Sequence, residues 1–526
     1  RLMLTYADGI RQFVHYFVTP PAAEQVRRFG AFSAAKQWFT DPSDPFGRTF
    51  SFMPYHFSTQ SLVLQHPATW MPGLSDEMGA GPNLAMAVKN LGQPDRQQIK
   101  MLEQYVDHAL WGRLQKPDYG VRASLFYYDP TEFPHYYTIH SGWDKARSET
   151  TWRSFNYPHQ AAIYWCLYRL ARDHQGLVIA HPWSWYLRQA YQTALAMGTH
   201  AGPPPGGLQQ FGQMVADVYL RILEDCKREG WTKEANALEG YERIRAEHFR
   251  SLRYPYGSEM PWDSTGQEEV YLLCRHFGFM DKAQITVDAV LAYDPTVPNW
   301  GYNGSARRYW DEAVNQTEWP DIMRLLHHYG GTINAIPLLT AYRDLPDDFY
   351  LLRVGYGGTL GALTDINTEG FGSQCFEPDP AIMRFDPYVG DYGIEFYGFA
   401  YNTGAYLVHH PEFGWLGFGC NVRLQAGQIS MTPCDAFRSR LYIAPFGLYL
   451  TLDAGTFQRA IIDLTHKTVR LVLSPRTTAT PSALLRIEVA RSQAGHHTFT
   501  VTSPVPTVRG AYAIPLSNRA TTILLH

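Results

Sequence analysis

Apolar residues recur with helical spacing across most of residues 22–345. The segments that fit this spacing are 22–38, 82–92, 95–116, 158–174, 182–198, 207–229, 232–252, 264–277, 280–293, 319–329 and 332–343. Pro182 and Pro320 stand at predicted helix starts, and Gly198 and Gly278 stand at predicted ends. Helices joined by alternating short and long loops are typical of stacked helical hairpins.

Stacked hairpins could form either an open solenoid or a closed (α/α) toroid. The solenoid is disfavoured because the sequence shows no internal repeat of fixed period. We therefore predict a toroid of about six helical hairpins over residues 21–345. Long aromatic loops at 40–80, 117–156, 253–263 and 295–318 would then meet at one end of the barrel.

Strand-like patterns flank the helical region. Residues 1–20 alternate around Asp8-Gly9, which predicts a β-hairpin left from a preceding β-domain. Short β-branched and aromatic segments fill residues 350–526 and predict an antiparallel β-sandwich. Its first predicted strands are 359–365 and 394–400. The predicted fold class is α+β and multidomain, with an (α/α) toroid followed by an antiparallel β-sandwich.

Charge and composition exclude several kinds of partner. The 526 residues carry a formal charge of −4 without a basic patch, which argues against nucleic acid. No apolar run approaches the length of a membrane span, so no membrane insertion is expected.

The start at Arg1, without a signal peptide, indicates a piece of a longer protein. With the sequons at Asn303 and Asn315, we expect a secreted or periplasmic protein whose export signal lies outside this chain.

Aromatic residues make up 14% of the chain, with 34 Tyr and 14 Trp. Sugar-binding surfaces use such rings because the C–H faces of sugars stack on them, although a large aromatic core is the alternative. The densest run, residues 126–159, follows neither helical nor strand periodicity. It predicts a substrate-binding loop containing Tyr137, Trp143, Trp152 and Arg153.

The end of this run, Asn156-Tyr157-Pro158-His159, is the first candidate catalytic site. An amide can hold a carboxylate, a tyrosine hydroxyl can pass a proton, and a neutral imidazole can accept one. With His140, these groups could remove the proton α to a uronic acid carboxylate and eliminate the 4-linked sugar. The structural alternative is a helix capped by Asn156, with Pro158 in its first turn and His159 partly buried.

Trp262-Asp263, with Glu268 and Glu269 at the start of an apolar helix, is the second candidate site. Acids beside a tryptophan could act as the general acid or base of a glycoside hydrolase, with Trp262 binding the substrate. The structural alternative is an N-cap at Asp263 and favourable negative charge in the first helical turn.

Two further segments could contact the substrate. Asp76 and Glu77 lie in a glycine-rich loop before a helix, where a simple turn is the alternative. Arg307 and Trp310 lie in a segment typical of a binding loop.

We expect no metal and no cofactor, because HExxH, EF-hand and paired His/Cys spacings are absent. A serine nucleophile is also unsupported, because the sequence has no GxSxG.

Three phrases are similar to segments of secreted bacterial and fungal proteins regarded as carbohydrate-active: GLSDEMGAG, SFNYPH and WDSTGQEEVY. With a toroid followed by a sandwich, the chain resembles toroidal polysaccharide lyases and related glycoside hydrolases. More weakly, it resembles the rhamnosyl-glucuronate lyases that act on plant arabinogalactan. In such lyases an Asn or Arg neutralises the carboxylate and a Tyr or His transfers the proton. The resemblance maps these roles to Asn156, Tyr157 and His159.

Three functions remain open at this point, all with a polysaccharide or oligosaccharide as partner. The first, slightly favoured by the His- and Tyr-rich loop, is a lyase acting by β-elimination. The second is a glycoside hydrolase that pairs Asp263, Glu268 or Glu269 with Asp76 or Glu77. The third is a non-catalytic glycan-binding protein. The sequence does not indicate the oligomeric state.

Overall fold

The computed structural model of the protein describes residues 2–14, 18–66, 68–129, 142–202, 207–255, 266–292, 326–373, 375–377, 384–385, 388–389, 392–490 and 498–526. α-Helices dominate up to residue 402. They are α1 (Ala22–Phe32), α2 (Glu77–Gly92), α3 (Arg96–Tyr105), α4 (Lys145–Ser148), α5 (Asn156–Asp173), α6 (Trp183–His200), α7 (Val218–Arg228), α8 (Thr232–Ser251), α9 (Gln267–His276), α10 (Met280–Ala292), α11 (His328–Asp344), α12 (Phe349–Thr364) and α13 (Tyr392–Asn402).

β-Strands are short before residue 402 and mostly longer after it. They are β1 (Leu2–Thr5), β2 (Arg11–Val14), β3 (Trp38–Phe39), β4 (Ser51–Phe52), β5 (Tyr55–His56), β6 (Ser61–Leu62), β7 (Leu326–His327), β8 (Cys375–Glu377), β9 (Arg384–Phe385), β10 (Tyr388–Val389), β11 (Ala405–His410), β12 (Gly414–Phe418), β13 (Cys420–Gln425), β14 (Gln428–Pro433), β15 (Arg440–Ile443), β16 (Leu448–Ala454), β17 (Phe457–Asp463), β18 (Thr468–Leu473), β19 (Ser482–Val489), β20 (Thr507–Val508), β21 (Ala511–Pro515) and β22 (Thr521–Leu525). The α+β fold class is thus confirmed. Antiparallel pairing of β1 with β2 confirms the predicted hairpin around Gly9.

Alternate long helices pack against one another in a circuit. α2 packs on α5 and α13, α5 packs on α7, and α11 packs on both α9 and α13. The circuit closes between α7 and α9, where the backbone N–H groups of Gln213 and Val215 donate to Glu269 and Glu268. We call α2, α5, α7, α9, α11 and α13 the inner helices. Most of them also pair with a sequence neighbour, such as α6 on α5 or α12 on α11. This packing is consistent with the predicted toroid.

Burial separates the inner helices from their partners. Every residue is buried from Gly79 to Asn90 in α2 and from Asn156 to Tyr168 in α5. A helix that is enclosed on all sides in this way lies in the interior of the protein. In α8, by contrast, the buried residues lie on one face, at Ala235, Leu238, Glu242, Arg245, Ala246 and Phe249. This spacing is that of an amphipathic helix with one exposed face.

Gly393 allows α13 to approach α2 closely, since a Cβ at this position would overlap the carbonyl oxygen of Gly81. We expect Gly393→Ala to reduce the free energy of unfolding by about 1–3 kcal/mol, because the main chains must move apart. Gly240→Ala is the matched control, because a Cβ there meets no atom within 4 Å. This control is expected to stabilise the helix by about 0.4–1 kcal/mol. Urea denaturation measures both changes, and equal effects would contradict the close approach.

The strands after residue 402 form two packed sheets. Their orders are β12-β11-β15-β16-β19-β21-β20 and β13-β14-β17-β18-β22. Strands pair antiparallel in both sheets, except that β11 and β15 are parallel. Leu448, Leu450 and Leu452 of β16 share an apolar core with Ile429 and Leu471 of the other sheet. Because side chains alternate along a strand, the intervening residues of β16 point to the opposite face.

Two predicted strands were wrong, because segment 359–365 belongs to α12 and segment 394–400 belongs to α13. Both helices are apolar and buried on most sides, so their sequences lack the alternation of apolar and polar faces that marks a helix. The change from helices to strands therefore falls after Asn402 instead of near residue 350. The division of the chain into domains stays a prediction.

Ion pairs and hydrogen bonds join the strand-rich part to the carboxyl-terminal ends of the inner helices. Arg169 of α5 lies 2.5 Å from Asp453 of β16, and Arg509 pairs with Asp173 at the end of α5. The opposite ends of the inner helices receive the long loops. Within the described ranges, no helix has the length and apolar character needed to cross a membrane.

Candidate active site

Polar residues gather at the amino-terminal ends of the inner helices. Asp76 precedes α2, Asn156 begins α5, Asp217 precedes α7, and Glu268 lies in the first turn of α9. The positive ends of the helix dipoles point toward this end, which favours anionic groups there. We call these amino-terminal ends, with the loops that enter them, the candidate active site.

An ion pair between Asp76 and Arg153 joins two of the entering loops. Nε and Nη2 of Arg153 both contact Oδ2 of Asp76. Asp76 is buried, and its other oxygen, Oδ1, accepts the N–H of Glu77, the first residue of α2, at 2.8 Å. The guanidinium lies 5.5, 5.7 and 5.9 Å from the ring centroids of Trp70, Trp143 and Trp152. The structure thus brings together four residues of the predicted set and adds Trp70, which the sequence analysis did not single out.

Asn156 and Tyr157 are held by structural hydrogen bonds. The Asn156 amide donates to the carbonyl oxygens of residues 122–123 at 2.9 and 3.4 Å. α5 begins at Asn156 itself and has no side-chain cap, so the expected capping role was wrong. The Tyr157 hydroxyl donates to the carbonyl of Thr151 at 2.8 Å, and burial raises the pKa of Tyr157. Two positions apart on a helix, Tyr157 and His159 lie on different faces, and the structure does not bring them together.

His159 is fully buried, with 0% of its surface exposed. Nδ1 lies 2.7 Å from the carbonyl oxygen of Phe155. Because a carbonyl only accepts hydrogen bonds, Nδ1 carries the proton and Nε2 keeps a lone pair. Burial lowers the pKa of His159, although nearby Asp76 opposes this effect. The imidazole is therefore neutral at neutral pH.

Several buried polar atoms at this end have no hydrogen-bond partner within the described residues. They are Glu77 Oε2, Ser154 Oγ, Asn156 Oδ1, His159 Nε2 and Glu268 Oε2. Buried polar atoms in folded proteins are nearly always paired, so each exception calls for an explanation. Similar atoms occur elsewhere in the fold, but these five lie where the inner helices begin, so a bound ligand there could pair with them.

Glu268 and Glu269 begin α9 but differ in their partners. Glu269 forms a two-point ion pair with Arg245 at 2.6 and 2.7 Å, and both side chains are fully buried. Glu268 accepts one hydrogen bond, from the Val215 N–H at 2.7 Å. Burial, assisted by the charge of Asp217, raises the pKa of Glu268 well above its usual value. Glu269 is therefore structural, whereas Glu268 is a carboxyl group that favours its protonated form.

Arg221 of α7 reaches across the inside of the helical circuit. Its guanidinium lies 3.0 Å from the ring centroid of Tyr401, and its Nε lies 3.2 Å from the hydroxyl of Tyr397. Both tyrosines belong to α13, which stands opposite α7 in the circuit. Arg221 also pairs with Asp217 at 2.6 Å. Asp217, Arg221 and Tyr401 also line a cavity that extends to the carboxyl-terminal ends of the inner helices.

Two loops that enter inner helices contain left-handed backbone. Leu74, before α2, has a φ of 62°, and Val215, before α7, has a φ of 68°. The first loop is tied by a hydrogen bond from Gln160 of α5 to the Leu74 carbonyl, and the second by the bond from Val215 to Glu268. Such conformations cost about 1–3 kcal/mol each and concentrate at functional sites. Their positions favour the same end of the inner helices.

Some predicted site residues lie outside the described residues. They are Tyr137, His140, Trp262, Asp263, Arg307 and Trp310. Among the side chains that are described, no group of three or more His, Cys, Asp or Glu residues is arranged to hold a metal ion.

The sequence analysis missed Asp217 and Arg221. Asp217 interrupts the apolar run from Met214 to Leu220, a signal that could have marked it. Tyr397 lies in a segment predicted as a strand of the sandwich, whereas the structure places it on α13. Arg221 was assigned to a helix, but its partner across the circuit depends on the tertiary fold.

Comparison with solved structures identifies the fold as one found in a polysaccharide lyase. That similarity has a TM-score of 0.54 at 17% identity, over 72% of this chain and 52% of the lyase chain. The chain thus spans about half the length of that lyase. A β-arabinofuranosidase of family GH127 aligns at 9% identity with a TM-score of 0.39, over 97% of this chain and 79% of that chain. No curated protein matches the chain.

The family is shown by the sequence itself. Residues 1–524 match the model of a family of unknown function, DUF5695. The chain therefore belongs to this family.

Proposed function

We propose that the protein is a secreted carbohydrate-active enzyme, built as an (α/α) toroid with a β-sandwich, that cleaves an acidic polysaccharide by β-elimination. The environment of His159 carries this proposal. The fold shared with a polysaccharide lyase is consistent with it. The finer specificity, for rhamnosyl-glucuronate linkages of plant arabinogalactan, belongs to the same proposal and follows from the resemblance of the sequence.

His159 has the properties of a general base. The hydrogen bond to Phe155 fixes the tautomer, and the lowered pKa keeps Nε2 unprotonated at neutral pH. In the reaction, Nε2 takes the proton from C5 of a uronate. The electron pair of the C–H bond forms a C4=C5 double bond, the C4–O bond breaks, and the leaving oxygen takes a proton from solvent. Nearby Asp76 stabilises the imidazolium that forms.

Arg153 is the group suited to hold the uronate carboxylate. Its contacts with Asp76 use Nε and Nη2, which leaves the N–H groups of Nη1 for a ligand. The side chain is 14% exposed, so a substrate can reach it. Trp70, Trp143 and Trp152 supply ring faces for the sugar. Since His159 is fully buried, substrate binding must also displace the residues that cover Nε2.

A screen of uronate-containing plant and microbial glycans tests the proposal. We expect ultraviolet absorbance from the new C=C bond to rise in proportion to new chain ends, without consumption of water. Release of reducing ends without this absorbance would contradict β-elimination. Glycan affinity without any product at high protein concentration would indicate a binding protein instead.

Glycoside hydrolysis is the second candidate function, and Glu268 is the observation that favours it. A hydrolase needs a carboxylic acid that stays protonated to assist the leaving group, together with a second carboxylate. The pKa of Glu268 is raised, and Asp217 lies near enough to contribute to this effect. Asp217 carries its own ion pair with Arg221. These two acids replace the pairing of Glu268 with Asp76 or Glu77 that the sequence predicted.

Glu268→Gln distinguishes the two functions and also tests the raised pKa. A carboxyl group whose pKa is raised on folding contributes stability below its unfolded pKa, and this contribution is lost as pH rises through the folded pKa. We therefore expect the free energy of unfolding of Glu268→Gln, relative to the wild type, to increase from about pH 4 upward. Urea denaturation across this range measures the difference, and a constant difference would contradict the raised pKa.

Activity assays of Glu268→Gln distinguish the two functions. The variant forms no products if the enzyme is a hydrolase, and it still forms them if His159 is the base of a lyase.

A further inference from the structure

A separate cavity of about 340 Å³ lies at the carboxyl-terminal ends of the inner helices. Its walls come from these helices and from the first sheet, where Tyr449, Thr451 and Asp453 of β16 face away from the sandwich core. Asp217 and Arg221 form its wall on the side of the candidate active site. The volume is at the lower end of the range for small-molecule sites, about 300–1,000 Å³, so a single ring fits better than a chain.

Three arginines in the cavity wall retain unused hydrogen-bond donors. Arg343 donates to the hydroxyl of Thr340, and Arg440 donates to a main-chain carbonyl, both at 2.9 Å. Neither lies within ion-pair distance of a carboxylate among the described residues, although Glu488 of the cavity wall is near enough to raise the pKa of Arg343. Arg486 is only 7% exposed and pairs with Asp453 at 2.6 Å, yet its Nη2 is buried without a partner. Unpaired guanidinium donors of this kind match the oxygens of a carboxylate, sulfate or phosphate.

Seven arginines and six acidic residues line the cavity, so unused guanidinium donors, and not a large net charge, favour an anion. Burial lowers the pKa of Arg486, Asp453 and Asp225 oppose this effect, and the cations of Arg228 and Arg169 add to it. An anion bound to Arg486 would offset the repulsion from Arg228 and Arg169.

Four aromatic residues also line the cavity: Trp165, Tyr401, Phe437 and Tyr449. The ring of Tyr449 lies 4.4 Å from the guanidinium of Arg343, and that of Tyr401 lies 5.0 Å from the guanidinium of Arg440. Such rings could pack against the ring of a sugar.

A cationic surface cleft of about 430 Å³ adjoins the cavity. The two share Arg228, Arg486 and Glu488 in their walls. Lys227 and Arg509 add positive charge to the cleft. A cleft in which cations outnumber acids raises the local concentration of anions, so it provides an entry route.

We propose that this cavity is a second ligand site, which binds a small oxyanion of up to the size of one acidic sugar. The shared chemistry is an anionic oxygen group held by the unpaired donors of Arg343, Arg440 and Arg486. The anionic group belongs either to a hexuronate, as its carboxylate, or to an inorganic ion, sulfate or phosphate. None of these three arginines takes part in the proposed reaction, so the anion site does not depend on that reaction.

Isothermal titration of the full chain with D-glucuronate, D-glucose, sulfate and phosphate tests the proposal. We expect glucuronate to bind and glucose not to bind. Arg343→Gln combined with Arg440→Gln is expected to weaken the binding at least about tenfold, because charge-assisted hydrogen bonds are lost without leaving an ion-paired carboxylate behind. Arg470→Gln, at an exposed position on β18, is the matched control and should bind like the wild type. Binding should also persist in His159→Asn, since His159 lies at the opposite end of the inner helices.

Each outcome bears on the site directly. Binding of sulfate or phosphate, without binding of glucuronate, would support the site and show that its ligand is an inorganic ion. No binding of any anion, equal binding of glucose, or unchanged affinity in the double variant would overturn it. Titration of the wild-type protein at increasing NaCl concentrations is a test that needs no variant. The affinity of an anion for guanidinium groups falls as salt increases, so an affinity that does not change with salt would also overturn the proposal.

Discussion

His159→Asn is expected to lower kcat for glycan cleavage by about 10²–10⁴-fold, the usual contribution of a general base. Asparagine can keep an N–H donor toward the Phe155 carbonyl, so the local fold is preserved while the lone pair of Nε2 is lost. Initial rates of ultraviolet absorbance on the substrate found in the glycan screen measure the effect. Retention of more than about a tenth of the wild-type rate would exclude His159 as the base.

Two further measurements separate catalysis from structure. Because the unprotonated imidazole is the active form, kcat/KM of the wild type is expected to rise with pH through the lowered pKa of His159 and to be level at neutral pH. Tyr157→Phe is the matched control, since it removes only the hydroxyl that binds the Thr151 carbonyl. It should cost about 0.5–1.5 kcal/mol of stability and leave kcat within a few-fold. A larger loss of kcat in Tyr157→Phe than in His159→Asn would reverse the two roles.

The elements that the sequence predicted well have a local signal. In α8, buried residues recur about every three or four positions, so the helix predicted over residues 232–252 agrees with the observed Thr232–Ser251. The strands of the sandwich alternate in the same way with period two, and predicted 468–473 is β18. In α12 and α13 this signal is missing, because apolar residues occur on most faces of both helices. For these two helices, only packing against α2 and α11 distinguishes helix from strand.

The candidate active site was predictable where its residues follow one another in the chain. The loop before α5 supplies Trp143, Trp152 and Arg153, and aromatic content alone marked it. Its partner Asp76 was proposed separately, since nothing in the sequence shows that two loops are joined by an ion pair. The hydrogen bonds that hold Tyr157 away from His159 also depend on the fold. Residue types therefore indicated the chemistry, while tertiary contacts decide which of these residues can act together.

Arg245→Met is expected to have the largest effect on stability, about 3–5 kcal/mol, because it leaves the buried carboxylate of Glu269 without its cation. Both side chains are 0% exposed and meet at two points. Arg245 also donates to the carbonyls of Gln209 and Phe211, which hold the segment before α7. A second buried acid, Glu242, has a pKa raised by burial and by Glu269, an effect that Arg245 opposes. Urea denaturation followed by circular dichroism measures the loss.

A double-mutant cycle shows how much of this loss comes from unpaired charge. Glu269→Gln removes the carboxylate but keeps an oxygen that can accept the Gln213 N–H, which lies 2.6 Å away. The double variant Arg245→Met with Glu269→Gln has neither charge, so it should be more stable than Arg245→Met alone. If the double variant is as unstable as the sum of the single changes, the main contribution of Arg245 is its hydrogen bonds to the 209–211 segment. In that case the ion pair itself would add little to the attachment of α9 to the segment that enters α7.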